Sequence, residues 1–272
     1  MVKLSGFADE ISPELDVQLN TLDSLGIKFL ELRGVWGKNV LALSDEELDT
    51  IKAELTRHGI GVSAIGSPVG KAPIDNDFEE YKQVVQRAIE VAKRVECPYI
   101  RIFSFYCHDR TADRDQVMHR MQTMVDMAAA QGVVMLHENE KGIYGETAIQ
   151  CADLHRTVKG KAFRATFDPA NYVQAGIRPF DEAWPLLKPY VEYFHIKDAV
   201  MADGHVVPAG EGDGQLRELM AAAKEMGYDG FLSLEPHLQV AGHSSGFSGP
   251  ELFARAVNAL RKILDELGIQ YT

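Results

Sequence analysis

The sequence has few cysteines and no long apolar segment. Its three cysteines, Cys97, Cys107 and Cys151, are scattered and odd in number, so a CxxC metal site is excluded and a disulfide framework is not expected. No run approaches the roughly 20 apolar residues that a transmembrane helix needs. The N-terminal residues reach the acids Asp9 and Glu10 without an apolar run, so no signal peptide is expected either. These absences predict a cytoplasmic protein without a membrane partner.

An excess of basic residues is also absent. The chain has 28 Lys and Arg against 40 Asp and Glu, which gives a formal net charge of −12. Proteins that bind nucleic acids usually carry a basic patch or stripe, so no nucleic-acid partner is expected. The rest of the composition, 46% hydrophobic and 25% charged, is typical of a soluble globular protein.

A regular alternation runs through the chain. A short β-rich run is followed by a loop, an amphipathic helix, a glycine and the next run, which indicates parallel strands joined by helices. The eight predicted strands are 4–8, 28–32, 61–65, 99–103, 133–136, 163–167, 191–196 and 231–234. No Gly-rich phosphate loop follows the first strand, which favours a closed barrel over a doubly wound open sheet. The sequence therefore predicts an α/β fold, a (β/α)8 TIM barrel, as one domain over residues 1–272.

Some helices carry clear start signals. Ser12 and Pro13 predict the start of the first helix, and Ser44 with Glu47 predicts a capping box for the second. The third helix is the most periodic segment of the chain. Its predicted buried face consists of Tyr81, Val84, Val85, Ala88, Ile89, Ala92 and Val95.

Metal-capable side chains end four consecutive predicted strands. These are Glu138, Asp168, His195 and Glu235. Active sites of (β/α)8 barrels lie at this end of the strands, so we expect the four to converge. Three carboxylates at one point would repel one another, and a divalent cation removes that conflict. The oxygen donors and the imidazole suit Mn²⁺, Mg²⁺, Co²⁺ or Zn²⁺, so one divalent metal ion is predicted.

Further polar residues lie at or near the strand ends and could bind a substrate. The candidates are Glu31, Arg101, His137, Asn171, Lys197 and His237. Ion pairing with a neighbouring acid is an equal alternative for Arg33, Arg101 and Lys197. Because side chains alternate along a strand, His137 and Glu138 cannot both face the barrel axis in ideal geometry.

Two loops after the last strands are candidates for ligand contacts. The Gly-rich segment 208–214 could close over a ligand or bind phosphate through backbone N–H groups, although it lacks the Lys-Ser/Thr ending of a P-loop. The segment 242–249 could be a lid over the site or a plain connection.

Five short motifs at these positions resemble a known family. They are Leu-His-Glu-Asn at 136–139, Phe-Asp-Pro-Ala-Asn at 167–171, His-Ile-Lys-Asp at 195–198, Gly-Glu-Gly-Asp at 210–213 and Leu-Glu-Pro at 234–236. Over nearly its whole length the chain resembles the xylose isomerase-like TIM barrel superfamily, the sugar phosphate isomerase/epimerase group. The resemblance implies that Glu138, Asp168, His195 and Glu235 bind one divalent metal, commonly Mn²⁺. It also implies that Glu138 and Glu235 act as acid and base.

The activity that the resemblance implies is a sugar isomerase or epimerase. A divalent metal would polarise a substrate carbonyl and stabilise an enediolate, while one Glu removes the adjacent proton and the other returns a proton. The expected substrate is a small sugar or keto-polyol, and relatives are often homo-oligomers. Ketose 3-epimerases of the group usually carry a further Glu, His and Arg where this chain has about Tyr144, Asn171 and Met201.

Three other functions remain open. The His-Ile-Lys-Asp motif also resembles inosose dehydratases of the same superfamily, which begin with the same proton abstraction and then expel water. A nuclease of the endonuclease IV type would cluster three zinc ions and need more histidines than the 9 in this chain readily supply. A barrel that binds sugar without catalysis is the last alternative, although the complete Glu, Asp, His and Glu set argues against it.

Overall fold

Eight parallel strands form the centre of the molecule in a computed structural model that describes residues 1–238 and 248–272. The strands are β1 (Lys3–Gly6), β2 (Phe29–Leu32), β3 (Gly61–Ile65), β4 (Tyr99–Ile102), β5 (Val134–Glu138), β6 (Phe163–Phe167), β7 (Val191–Ile196) and β8 (Phe231–Leu234). All eight predicted strands are confirmed, with small shifts at their ends. The predicted lid 242–249 falls mostly outside the described residues.

The strands close into a nearly complete barrel. Their order in the sheet is β1-β8-β7-β6-β5-β4-β3-β2, so the first strand pairs with the last. Lys3 lies opposite Phe231 and Gly6 lies opposite Leu234 in that pairing. A parallel bridge between Phe7 and Glu31 links the ends of β1 and β2 and completes the circle. The predicted (β/α)8 TIM barrel is therefore confirmed.

Helices connect the strands on the outside of the barrel. They are α1 (Leu15–Ser24), α2 (Asp45–His58), α3 (Phe78–Arg94), α4 (Arg114–Ala129), α5 (Ala148–Thr157), α6 (Pro169–Gln174), α7 (Trp184–Leu187), α8 (Leu216–Glu225) and α9 (Gly249–Glu266). A short hairpin of Asp198–Ala199 and Val206–Val207 follows β7. None of the helices in the described ranges is both long enough and apolar enough to cross a membrane.

Of the three helix predictions, one is confirmed, one is wrong and one holds except at a single residue. Ser44 and Glu47 form the predicted capping box of α2. The first helix begins only after Glu14, because the Pro13 carbonyl accepts the Trp36 N–H and stays outside the helix. In α3 the predicted face is largely buried, but Val84 is 37% exposed because it lies at the edge of the apolar stripe.

Side chains that point into the barrel fill the half that lies nearer the N-terminal ends of the strands. Ala64, Leu136 and Tyr193 pack together there. The Ser63 hydroxyl links this layer to Ser5 at 2.6 Å and to the Tyr193 hydroxyl at 2.8 Å. Polar side chains at the next level, toward the C-terminal ends of the strands, therefore pack on a closed layer of side chains.

Candidate metal centre

The four metal-capable side chains converge at the C-terminal end of the barrel. Glu138, Asp168, His195 and Glu235 each offer one ligand atom, and these atoms lie within 4.8 Å of one another. His195 Nδ1 lies 3.2 Å from Glu138 Oε1. It also lies 3.9 Å from Asp168 Oδ2 and 4.0 Å from Glu235 Oε2. All four side chains are buried.

Asp168 lies where β6 passes into α6. Its Oδ1 accepts a hydrogen bond from the Asn171 N–H at 2.9 Å and caps the helix. The Asp168 N–H donates to Asn139 Oδ1 at 3.0 Å, and the Asn139 amide donates back to the Asp168 carbonyl at 2.9 Å. Capping occupies one carboxylate oxygen and leaves Oδ2 facing the cluster, so an Asx turn and a metal-binding role are compatible.

His195 is held by an acid beneath it. The Glu31 carboxylate lies 3.2 Å from His195 Nε2 and accepts a hydrogen bond from the Ser233 hydroxyl at 2.8 Å. Glu31 therefore sits under the histidine rather than at the mouth of the site where a substrate contact was expected. A carboxylate on the far nitrogen is the usual device that orients a metal-binding imidazole.

Lys197 bridges two of the acids. Its Nζ lies 2.9 Å from Asp168 Oδ2 and 2.9 Å from Glu235 Oε2. The ion pair that was the alternative for Lys197 is thus present, and it joins two members of the cluster. A ligand that binds between Asp168 and Glu235 would therefore also contact the Lys197 ammonium group.

Glu138 is held from both sides. Arg101 Nη1 donates to its Oε2 at 3.2 Å, and the Asn171 side-chain amide donates to its Oε1 at 3.1 Å. Arg101 Nη2 donates to the Gly66 and Ser67 carbonyls at 3.2 and 3.4 Å. Arg101 and Asn171 were expected to contact a substrate, and the structure places both directly on this glutamate.

A second group of charged side chains holds Glu235, and only some of its members were predicted from the sequence. Arg33 Nη1 lies 2.9 Å and His237 Nε2 lies 3.1 Å from Glu235 Oε1. Arg33 also pairs with Asp9 at 2.7 Å, and His237 Nδ1 pairs with Glu10 at 2.8 Å. Asp9 and Glu10 were missed as site residues, although two adjacent acids just beyond the first strand obey the same strand-end rule as the other four.

An aromatic ring packs against both arginines. Phe7 is fully buried, with the guanidinium carbon of Arg33 4.4 Å and that of Arg101 5.1 Å from its ring centre. The His195 ring meets Phe7 edge-on at 5.1 Å. At Gly66 an added Cβ would lie 2.8 Å from this ring and 2.9 Å from Arg33 Cβ. Glycine at this position therefore makes room for the ring and its arginine.

His137 does not join the cluster. Its ring points out of the barrel, where Nε2 lies 3.0 Å from the Ser104 hydroxyl. Burial lowers its pKa to about 3, so it stays neutral. The expected substrate contact of His137 is not supported, because strand alternation turns Glu138 inward and its neighbour outward. Tyr144 also turns away, since its hydroxyl donates to Asp153 at 2.6 Å.

The electrostatics of the cluster favour a cation. Burial raises the pKa of Glu138, but the positive charges of His195 and Arg101 outweigh it and bring the pKa to about 2. Burial raises the pKa of Asp168 to about 6, although Lys197 opposes this. Within the described residues, the buried His195 Nδ1 makes no hydrogen bond. Ionised carboxylates around an imidazole nitrogen without a hydrogen bond fit a divalent metal ion, which would take the place of the proton that gives His195 its positive charge.

Several solved structures resemble this fold. The probable 3-DHS dehydratase AsbF of Bacillus anthracis shares 18% identity, with a TM-score of 0.77 over 96% of this chain and 99% of its own. D-Psicose 3-epimerase of Clostridium cellulolyticum H10, solved with D-tagatose, shares 17% identity, with a TM-score of 0.76 over 98% and 99%. A xylose isomerase-like TIM barrel protein of Mycobacterium smegmatis, in complex with magnesium, shares 18% identity, with a TM-score of 0.68 over 98% and 97%. At these identities the likeness establishes the fold alone.

Sequence comparison identifies the family. No curated protein matches the sequence significantly. A family model described as xylose isomerase-like TIM barrel matches residues 19–263, a range that contains β2 to β8 and all four convergent residues. The chain therefore belongs to the xylose isomerase-like TIM barrel family.

Proposed function

We propose that the protein is a divalent-metal-dependent isomerase or epimerase that acts on a small polyhydroxy carbonyl compound. The observation that carries the proposal is the convergence of Glu138, Asp168, His195 and Glu235 within 4.8 Å. The four would hold one metal ion, for which Mn²⁺ is the first candidate and Mg²⁺, Co²⁺ and Zn²⁺ are alternatives. When bound, such an ion supplies Lewis acidity that makes the proton beside a carbonyl easier to remove.

The two glutamates would carry the proton. Glu138 and Glu235 both approach His195 Nδ1, at 3.2 and 4.0 Å. Arg101 holds Glu138 and Arg33 holds Glu235 through ion pairs. Against the effect of burial, the charges of Lys197 and His237 lower the pKa of Glu235 and keep it ionised. One glutamate removes the proton and the other delivers one to the opposite face or to the neighbouring carbon, giving epimerisation or isomerisation respectively.

A dehydratase acting on a keto-polyol is the second candidate. The supporting observation is Lys197, whose ammonium lies 2.9 Å from both Asp168 and Glu235. A buried cationic donor beside the base could protonate a departing hydroxyl after the first proton is removed. The similar folds include a probable 3-DHS dehydratase as well as a 3-epimerase, so both reactions are compatible with this barrel.

The nuclease alternative has less support. Two groups of convergent metal-capable residues are found in the described part of the chain, and each contains one histidine. A cluster of three zinc ions would require more imidazole ligands than these groups provide. The net charge of −12 also opposes binding of a polyanion.

Metal content is the first test. Protein purified without chelators or a His-tag should contain about one Mn, Mg, Co or Zn ion per chain by elemental analysis. About three zinc ions per chain would favour the nuclease instead. No metal, even after soaking with Mn²⁺ and Zn²⁺, would contradict the proposal.

Hydrogen exchange then identifies the reaction. Metal-loaded protein incubated with ketoses and keto-polyols in D₂O should introduce deuterium beside the carbonyl, because both reactions begin with removal of that proton. Mass spectrometry separates the two candidates, since dehydration removes one water and isomerisation leaves the mass of the exchanged product otherwise unchanged. A metal-loaded protein that exchanges no hydrogen in any of these compounds would contradict both.

A further inference from the structure

The Gly-rich loop 208–214 after β7 already binds a carboxylate of the chain itself. Loops at this end of a (β/α)8 barrel, after strands seven and eight, often bind phosphate groups. Here the N–H groups of Gly210, Gly212 and Gly214 donate to the Asp198 carboxylate at 2.8, 3.1 and 2.8 Å. The Ala199 N–H adds a fourth hydrogen bond at 2.8 Å. A carboxylate of the chain itself thus takes the N–H groups that a phosphate would use.

The loop is closely fitted to this carboxylate. Asp198 is fully buried. An added Cβ at Gly212 or Gly214 would lie 2.6 Å from Asp198 Oδ1. The glycines therefore let the backbone wrap around an internal acid, and the phosphate contact suggested by their spacing is wrong for these N–H groups.

The lysine and arginine side chains around the cluster are also already paired with acids. In the described part of the chain they form short ion pairs with internal acids. The pairs are Arg33 with Asp9, Glu10 and Glu235, Arg101 with Glu138, Lys197 with Asp168 and Glu235, and Lys71 with Glu140. Residues 239–247, which lie outside the described ranges, contain no lysine or arginine. A phosphate could gain an arginine here only by displacing an acid.

Acids outnumber fixed cations at the centre. The acids are Asp9, Glu10, Glu31, Glu138, Asp168 and Glu235, and the fixed cations are Arg33, Arg101 and Lys197; the imidazoles of His195 and His237 also pair with these acids. These imidazoles and a divalent ion together offset the excess. A phosphate ester would then add roughly two further negative charges to a buried site. An uncharged ligand adds none, and its hydroxyls can donate to the carboxylate oxygens.

A cavity of about 610 Å³ lies elsewhere on the loop, between it and the helices α8 and α9. Arg217 and Lys262 line it, but none of the four convergent residues does. A phosphate held there would not be in contact with the cluster.

We infer that the substrate is an uncharged polyhydroxy carbonyl compound, a free ketose or a cyclic keto-polyol, and not a phosphate ester or a sugar acid. The inference rests on the proposed function, because it names the substrate class of the same site. It follows from the Asp198 carboxylate in the loop and from the paired arginines and lysines around the cluster.

Binding of inorganic phosphate tests the inference without turnover. Mg²⁺-loaded protein, titrated with phosphate in a calorimeter, should show no saturable binding in the millimolar range. The Asp198→Gly variant empties the loop and should gain phosphate binding, whereas Asp203→Gly, in the exposed turn of the adjacent hairpin, should not. Saturable phosphate binding that persists when Arg217 and Lys262, which line the separate cavity, are both replaced by glutamine overturns the inference, whether or not the Asp198→Gly variant folds.

Matched substrates give the second test. We expect kcat/KM to be at least roughly tenfold higher for D-fructose and D-ribulose than for D-fructose 6-phosphate and D-ribulose 5-phosphate. Better use of either ester overturns the inference while leaving the proposed function intact. If the metal-loaded protein exchanges hydrogen in no compound, the proposed function fails, and the phosphate titration still decides the charge of the ligand that the site accepts.

Discussion

Glu31 lies beneath His195, with its carboxylate 3.2 Å from Nε2, on the side of the ring opposite the three other acids of the cluster. The pair joins β2 to β7 across the barrel, and Ser233 on β8 donates to the same carboxylate. This contact keeps Nε2 as the hydrogen-bond donor, so Nδ1 is the nitrogen that faces the cluster.

Removing the charge of Glu31 should weaken metal binding. The Glu31→Gln variant is expected to bind Mn²⁺ about 10- to 100-fold more weakly, because the imidazole loses the carboxylate that orients it. Metal titration in a calorimeter measures the effect. Glu192→Gln is the matched control, since Glu192 lies at the opposite end of β7 and pairs with the Tyr99 hydroxyl at 2.9 Å. Equal affinities for the two variants would show that Glu31 does not support the metal.

Glu235 should be needed for turnover. The Glu235→Gln variant is expected to retain its fold by circular dichroism and lose about 10²- to 10⁴-fold in kcat, because an amide cannot accept the proton. Glu211→Gln, an exposed glutamate that pairs with Arg255, is the control and should keep full activity. Turnover by Glu235→Gln at the unaltered rate would remove this residue from the mechanism.

Gly66 should be critical for the packing around Phe7. In Gly66→Ala the new Cβ meets the Phe7 ring at 2.8 Å and Arg33 Cβ at 2.9 Å, so both must shift. We expect a loss of about 1 to 3 kcal/mol in the free energy of unfolding, together with weaker Mn²⁺ binding, because Arg33 holds Glu235. Urea denaturation and metal titration measure the two effects.

A substitution on the same strand provides the control for Gly66. In Gly61→Ala the new Cβ would lie 3.0 Å from the Phe29 ring, at the other end of β3. This variant should lose stability without a change in metal affinity. A parallel loss of metal affinity in both variants would argue that the effect at Gly66 is general destabilisation.

Asp153 should stabilise the fold only above acidic pH. It accepts two hydrogen bonds from Arg114 at 2.7 Å and one from the Tyr144 hydroxyl, and Arg114 is the main cause that lowers its pKa. Because the pKa in the folded protein lies below the unfolded value of about 3.9, the stabilisation is present above pH 4 and is lost as the pH falls through the folded pKa.

The Asp153→Asn variant measures this contribution. We expect it to lose about 1 kcal/mol at pH 7, a modest value because solvent screens the partly exposed arginine, and the difference should shrink toward pH 3. Asp115→Asn, which removes an exposed partner of the same arginine, should have a clearly smaller effect at pH 7. A pH-independent loss for Asp153→Asn would mean that packing, not charge, explains it.

The positions of the strand-end residues were predictable from the sequence. Glu138, Asp168, His195 and Glu235 each follow a buried apolar run, and that local pattern was enough to expect them at one end of a barrel. Alternation also indicated that His137 and Glu138 face opposite ways, although it did not say which of the two faces inward.

The contact partners of these residues could not be predicted from local sequence patterns. Glu31 was expected to contact a substrate, and the structure places its carboxylate 3.2 Å from Nε2 of His195, which is 164 residues away. Arg33 and Glu235 are 202 residues apart in the chain and meet at 2.9 Å. Likewise, the spacing of the glycines at 208–214 suggested an anion site without revealing that Asp198 is the anion.

The sequence by itself determined the barrel and the strand ends that carry acids, since hydrophobic period, run length and the residue after each run are local properties. The tertiary structure alone decided which acid meets which base. Those pairs form only when β1 closes against β8 and the register of the strands sets the height of each side chain, so they depend on the whole circle of eight strands.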